Sequence, residues 1–170
     1  MPILETARLR LRELDDADAG FVLDLLNRPD FLRYIGDRGI RDEDQARTYL
    51  RDGPVASYAM HGHGLYAVER REDGRPIGLC GLVAREGLPA PDIGFAFLPA
   101  FCGRGYALEA ARAVLDDARE RLGLARVLAI VSPGNDRSIA LLRKLGLRDA
   151  GTVRLPGRDE DVLLFETAED

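Results

Sequence analysis

The sequence predicts an α+β, or mixed α/β, fold built on one central sheet. Three observations carry this. Residues 7–14, ARLRLREL, alternate leucine with arginine at the period of a half-buried strand. Leu108, Ala111, Leu115, Ala118 and Leu122 recur at helical spacing. Short apolar runs, IGLCGLVA and ARVLAIV, lie between turn-forming residues.

In chain order, 7–14 is the first strand, its arginine face turned to water. Asp15 and Asp16 suit the cap of a helix over 17–28, where Phe21, Val22, Leu25 and Leu26 share a face and Pro29 supplies a stop. A second helix covers 42–51 and closes near Gly53 and Pro54. The stretch from 54 to 64, PVASYAMHGHG, has no clear period and reads as a loop leading into the strand LYAVERR. EDGRP is a hairpin turn, IGLCGLVA a strand buried on both faces and thinned by Gly78 and Gly81, and REGLPAP a loop before the strand DIGFAF. The strongest helix follows, ending at Gly123. Then come the strand ARVLAIV, the turn SPGN, a helix over 136–145 with Ile139, Leu142 and Leu145 inward, and two strands, LRDAGTVRL and DVLLFE.

A chain of 170 residues is the size of one domain, spanning 1–170. Its net charge of −5 and pI near 5.2, with acids and bases intermixed, point away from nucleic acid and anionic membranes. Cys80 and Cys102 match neither a metal spacing nor a CxxC motif. The N-terminus has no leader pattern and no run is long enough to span a membrane, so the expected setting is reduced and cytoplasmic. His61 and His63 lack a third ligand at a compatible spacing, and no metal is expected.

The stretch FLPAFCGRGYALEA, residues 97–110, carries the chemistry. A strand running through CGRGYA into a helix turns several backbone N–H groups toward one spot, where the helix dipole adds partial positive charge. Gly103 and Gly105 allow close approach and unusual φ, so the loop can form an anion-holding nest with Arg104 at its rim; the same glycines can also simply make a tight turn. GxxxxGK is absent, which excludes a Walker A loop. Leu108 stands where a dinucleotide fingerprint has its third glycine.

On these residues the chain resembles the GNAT superfamily of acyl-CoA N-acyltransferases, in the branch of the RimJ and RimL ribosomal-protein acetyltransferases. DIGFAFLPAFCGRGYALEA is similar to the family's strand, pyrophosphate loop and helix, with the Q/R-x-x-G-x-G/A pattern falling on Cys102, Gly105 and Ala107. VSPGNDRSIALLRKLGL is similar to its later strand and helix, with Asn135, Ser138 and a K-x-G-hydrophobic ending from Lys144 to Leu147. ETARLRLREL resembles the branch's opening strand, so the likeness spans nearly the whole chain.

The resemblance implies a mostly antiparallel sheet splayed at the cofactor cleft, with helices on both faces. It implies acetyl-CoA as cosubstrate, its pyrophosphate on the backbone of Cys102, Gly103, Arg104, Gly105, Tyr106 and Ala107. The pantetheine arm would pair like an added strand with Phe97 and Leu98. Cys102 departs from the usual first residue of the pattern, at a position whose phosphate contacts come mainly from main chain. Direct attack in a ternary complex is implied. Asp92 is either the acceptor of the amine's proton or an ordinary solvent-facing strand-end acid. Ser138 either hydrogen-bonds the departing sulfur or is a polar residue of the helix's first turn. The tyrosine acid of many relatives is replaced by Leu142. Asn135 suits a helix cap and can also reach the pantetheine. Glu109 is expected to organise neighbouring loops, and Tyr34, Tyr58 and Tyr66 to line the acceptor pocket or to be partly buried.

The function expected is therefore N-acetyl transfer to a primary amine, either a protein N-terminus or a small amine. The acidic net charge favours a cationic acceptor, and a homodimer stays open. Two rivals remain at this level: a domain that binds acyl-CoA without turnover, and a structural domain whose glycine loop binds nothing.

Overall fold

The computed structural model describes residues 2–168. Eight strands form one sheet in the order β1-β2-β3-β4-β5-β6-β8-β7: β1 (Pro2–Glu5), β2 (Leu9–Glu13), β3 (Leu65–Arg70), β4 (Pro76–Val83), β5 (Asp92–Phe97), β6 (Leu128–Val131), β7 (Leu147–Val153) and β8 (Val162–Thr167). Every pairing is antiparallel except β5 with β6. The helices are α1 (Ala19–Leu26), α2 (Pro29–Tyr34), α3 (Glu43–Leu50), α4 (Ala56–His61), α5 (Tyr106–Glu120) and α6 (Asp136–Lys144).

The alternation of 7–14 is realised in β2, where Leu9 and Leu11 are fully buried and the arginines between them are not. In β4, residues 77 to 82 are buried consecutively, so both faces of the central strand are covered. Helix α5 packs against β2, β4 and β5, burying Ala110, Ala111, Val114 and Ala118. Val22, Leu25 and Leu26 of α1 and Ala46 and Leu50 of α3 join the same core. Gly78 is a point of close approach: a Cβ there would stand 2.6 Å from both the Ala96 carbonyl and the Phe97 ring. The missing side chain lets Phe97 settle at the end of β5.

Three expectations are corrected. A further strand, β1, precedes the one predicted and pairs with it antiparallel. The helix over 17–28 is shorter. Asp15 caps a 3-10 turn, Asp16–Asp18, which leads into α1, and Pro29 starts α2 as its first residue because its missing N–H would have no partner there anyway. The helix of 42–51 does not close at Gly53 and Pro54. Asp42 caps α3, and the chain then runs through a wide π-type turn, Arg51–Val55, into α4, which ends at Gly62. The wide turn takes in Pro54, which has no N–H to give to a regular helical ladder. The expected loop of 54–64 is thus helical as far as His61.

Candidate active site

The site begins where two strands part. β5 and β6 share one register pair, Asp92 with Leu128, with the Leu128 N–H donating to the Pro91 carbonyl (2.9 Å). β5 stays paired with β4 as far as Gly78 opposite Phe97, so the V opens on the β6 side. Hydrogen bonding alternates along a strand. The Leu98 N–H is spent on the Ile77 carbonyl (2.9 Å), and the Leu98 carbonyl accepts from Phe101 N (2.9 Å). By that alternation the main chain of Phe95 and Phe97 faces the opening. The Phe97 N–H is therefore without a partner among the described residues, while its carbonyl receives a long contact from Cys102 Sγ (3.9 Å). Leu98 does not offer its N–H, and Phe95 is the neighbour that takes its place.

Beyond Leu98 a 3-10 turn, Pro99–Phe101, leads to the glycine loop. Gly103 (φ +77°) and Gly105 (φ +81°) are both left-handed, and Gly105 is the N-cap of α5 without a side-chain cap. No backbone N–H from Gly103 to Leu108 finds an acceptor among the described residues. Space around the loop is open, for a Cβ on Gly103 would meet nothing within 4 Å. These are the bare amides that an anion needs at a helix N-terminus.

The loop is held from behind by residues the sequence does not single out. Arg8 donates through Nη1 to the Arg104 carbonyl (3.0 Å), through Nε to Glu109 Oε1 (2.8 Å) and through its main-chain N–H to Glu109 Oε2 (2.9 Å), and its guanidinium lies 4.3 Å from the centre of the Tyr106 ring. The Thr6 hydroxyl also donates to Glu109. Burial works to raise the Glu109 pKa, but the hydrogen bonds from Thr6 and Arg8 hold it below the usual carboxylate range. Glu109 thus ties the turn between β1 and β2 to α5. At the rim, Arg70, Arg75 and Arg104 stand 4.8, 5.3 and 5.8 Å from the centre of the Phe101 ring, and neither Arg75 nor Arg104 has an ion-pair partner among the described residues.

A cleft of about 820 Å³ joins the glycine loop to the splay and to the start of α6. Asn135 caps α6 by accepting from the Ser138 N–H (3.4 Å), while the Ser138 hydroxyl, also on the cleft wall, makes no hydrogen bond among the described residues. Leu142 is a core residue, 1% exposed. Cys102 lines the cleft with its Sγ 3.6 Å from the Leu98 carbonyl, and neither histidine lines it.

Asp92 sits at the closed apex of the V. It is 1% exposed, so it is not the solvent-facing strand-end acid that the sequence also allows. Both carboxylate oxygens accept from Arg85 Nε, at 2.9 and 3.2 Å. Burial raises its pKa, with the Arg85 charge and hydrogen bond opposing. Of the tyrosines, Tyr34 lines the cleft. Tyr58 and Tyr66 stack on each other instead (5.6 Å, 6° between planes), and the Tyr58 hydroxyl accepts from the Leu14 N–H (3.0 Å) and donates to the Leu65 carbonyl. Tyr49, not singled out by sequence, does line the cleft. His61 and His63 stack at 5.5 Å, and no group of three metal-binding side chains occurs among the described residues. No helix among them is long and apolar enough to cross a membrane.

A sheet splayed beside an anion-receptive strand-to-helix loop offers a seat for a phosphorylated group with an extended arm. Residues 8–148 match the acetyltransferase (GNAT) domain, and the chain belongs to that family of acetyl-CoA-dependent enzymes. It is 30% identical over 155 residues to the uncharacterized N-acetyltransferase YoaA of Bacillus subtilis (strain 168), covering 90% of this chain and 86% of that protein. An acetyltransferase of Agrobacterium tumefaciens str. C58 matches with a TM-score of 0.83 and 29% identity, over 99% of this chain and 95% of the other. RimL, a ribosomal L7/L12 alpha-N-protein acetyltransferase solved in complex with coenzyme A, matches in fold with a TM-score of 0.84 at 17% identity, over 100% of this chain and 99% of its own.

Proposed function

We propose that this protein binds acetyl-CoA along the glycine loop and the open edge of β5, and transfers the acetyl group to a primary amine by direct attack in a ternary complex. The observation that carries the proposal is the run of unpartnered N–H groups from Gly103 to Leu108, beside a strand edge freed by the splay. Cys102, Gly103, Arg104, Gly105, Tyr106 and Ala107 form the seat for the diphosphate, with the guanidinium groups of Arg75 and Arg104 at its rim. Phe97, with Phe95, presents main-chain groups to which an extended amide chain adds like a strand. Asn135 holds the first turn of α6 so that Ser138 faces the cleft.

The bound thioester supplies the activated acyl group. What remains for the chain is to hold the developing oxyanion and move protons. The N–H of Phe95, on the open edge of β5 toward the apex, serves the first need. Asp92, held by Arg85 at the apex of the cleft, accepts the amine's proton through water, and burial favours that uptake against the opposing Arg85 charge and hydrogen bond. The Ser138 hydroxyl hydrogen-bonds the departing sulfur. With Leu142 where a tyrosine acid would stand, little more is needed, because a thiolate of pKa about 8.5 is already a good leaving group near neutrality.

Free thiol release from acetyl-CoA, measured across peptides, amino acids and small amines, tests this reading. Acceptor-dependent release is expected. Saturable acetyl-CoA binding without release for any acceptor would leave a binding domain in place of an enzyme.

A further inference from the structure

The apex of the cleft carries a charge opposite to that of the whole chain. Arg38, Arg85 and Arg158 line it together with Tyr49 and Asp92. Asp92 is committed to Arg85 through both oxygens. Neither Arg38 nor Arg158 has an ion pair or a side-chain hydrogen bond among the described residues. The ionisable groups that influence Arg38 are the neutral phenol Tyr49 and the cations Arg85 and Arg158, with no carboxylate among them, and the other acids on the cleft wall, Asp30 and Asp136, are not its partners. Although the Arg38 side chain is exposed to solvent, protein surrounds enough of it that burial lowers its pKa, and repulsion from Arg85 and Arg158 adds to this. Arg38 and Arg158, with no acid of their own beside the paired Arg85, are held at a cost that an incoming anion removes.

These arginines do not belong to the diphosphate seat. Asp92, which anchors Arg85, is separated from Phe97 by the length of β5, about 17 Å at the usual rise of a strand. An extended arm laid along β5 from the glycine loop brings its reactive end toward the apex, and the acceptor must meet it there.

Resting on the proposed acetyl transfer, we infer that the acceptor is an amine that also carries an anionic group, a carboxylate or a phosphate, which Arg38 and Arg158 bind while the amine faces the thioester. Guanidinium groups suit both anions, since their forked N–H donors match two oxygens at once. The same positive field disfavours protonation of the amine, which must be neutral to attack, and it repels the polyamines and basic peptides that the net charge of −5 favours at first sight. The net charge averages over the whole surface, whereas the acceptor meets only the lining of the cleft.

The test uses the intact enzyme and matched acceptors: amino acids against their amides, 2-aminoethyl phosphate against ethanolamine, an acidic against a basic peptide, and spermidine. The anionic member of a pair is expected to be preferred in kcat/KM by at least about tenfold, with the carboxylate and phosphate arms showing which anion is meant. Arg38→Gln and Arg158→Gln should each lower kcat/KM for that acceptor by about ten- to a hundredfold, the worth of one charge-assisted hydrogen bond, without changing the KM for acetyl-CoA. Equal or better turnover of the neutral or cationic members, or no effect of either substitution, overturns this inference alone. A protein that binds acetyl-CoA yet releases thiol with no acceptor overturns the transfer reading, and this inference falls with it.

Discussion

Gly105→Ala separates the cost of a strained backbone from the cost of losing an anion seat. At φ +81° an L-residue is strained by roughly 1–2 kcal/mol. The new Cβ would also stand 3.3 Å from Arg8 Nη2, on the side where Arg8 holds the loop through the Arg104 carbonyl. For a chain of this size each kcal/mol moves the melting temperature by about 2–4 °C, so a fall of about 2–8 °C is expected without ligand. The strain is relieved by rotating the peptides at the start of α5, and any such rotation withdraws N–H groups from the diphosphate. Losing one hydrogen bond to a charged group costs about 1.5–3 kcal/mol, which is about a ten- to hundredfold rise in the acetyl-CoA Kd. Gly123→Ala is the control. It is also left-handed (φ +65°), lies beyond the C-terminal end of α5, and its Cβ would meet nothing within 4 Å. Melting by circular dichroism and titration calorimetry with acetyl-CoA should show both variants less stable and only Gly105→Ala impaired in binding. Equal affinities in the two variants would refute the reasoning.

Asp92→Asn should lower kcat/KM by about a hundredfold or more while sparing acetyl-CoA affinity. Because burial raises the Asp92 pKa, the wild-type rate should rise with pH along an acidic limb above the ordinary carboxylate value of 3.8, and the variant should lack that limb. A limb that persists in the variant assigns the base to another group. Ser138→Ala keeps the main-chain N–H that Asn135 caps, so it should slow kcat more than it weakens acetyl-CoA binding; the reverse pattern would reduce Ser138 to a part of the cap. Glu109 has a lowered folded pKa, so its contribution to stability is present above its unfolded pKa and is lost as pH falls through the folded value. Glu109→Gln should accordingly melt earlier near neutrality and converge with wild type in acid, and parallel melting curves across that range would contradict the clamp.

The parts of the fold legible in the sequence were those with a strict local period. The alternation of Leu9 and Leu11 with arginines gives β2, and the alanine and leucine stripe of 106–120 gives α5. The glycine loop was legible because a strand, two glycines and an amphipathic helix follow one another directly. What local signals misplace depends on distant contacts or on a rarer backbone. Pro54 reads as a terminator but sits inside a π-type turn. Asp92 at a strand end reads either as a solvent-facing acid or as a proton acceptor, and its burial depends on Arg85 folding back over it across the β4–β5 connection. The clamp of Thr6, Arg8 and Glu109 joins positions about a hundred residues apart, which no periodicity marks. The same holds for Arg38 and Arg158, in two unrelated irregular segments that both reach the cleft lining.

Acetyl-CoA binding as proposed depends on the amides at the start of α5, and nuclear magnetic resonance reads them one by one. In an amide ¹H–¹⁵N titration with acetyl-CoA, the largest shifts, and new protection from hydrogen exchange, are expected on Gly103 through Leu108. Saturable binding that leaves those amides unmoved while others respond would contradict that proposal.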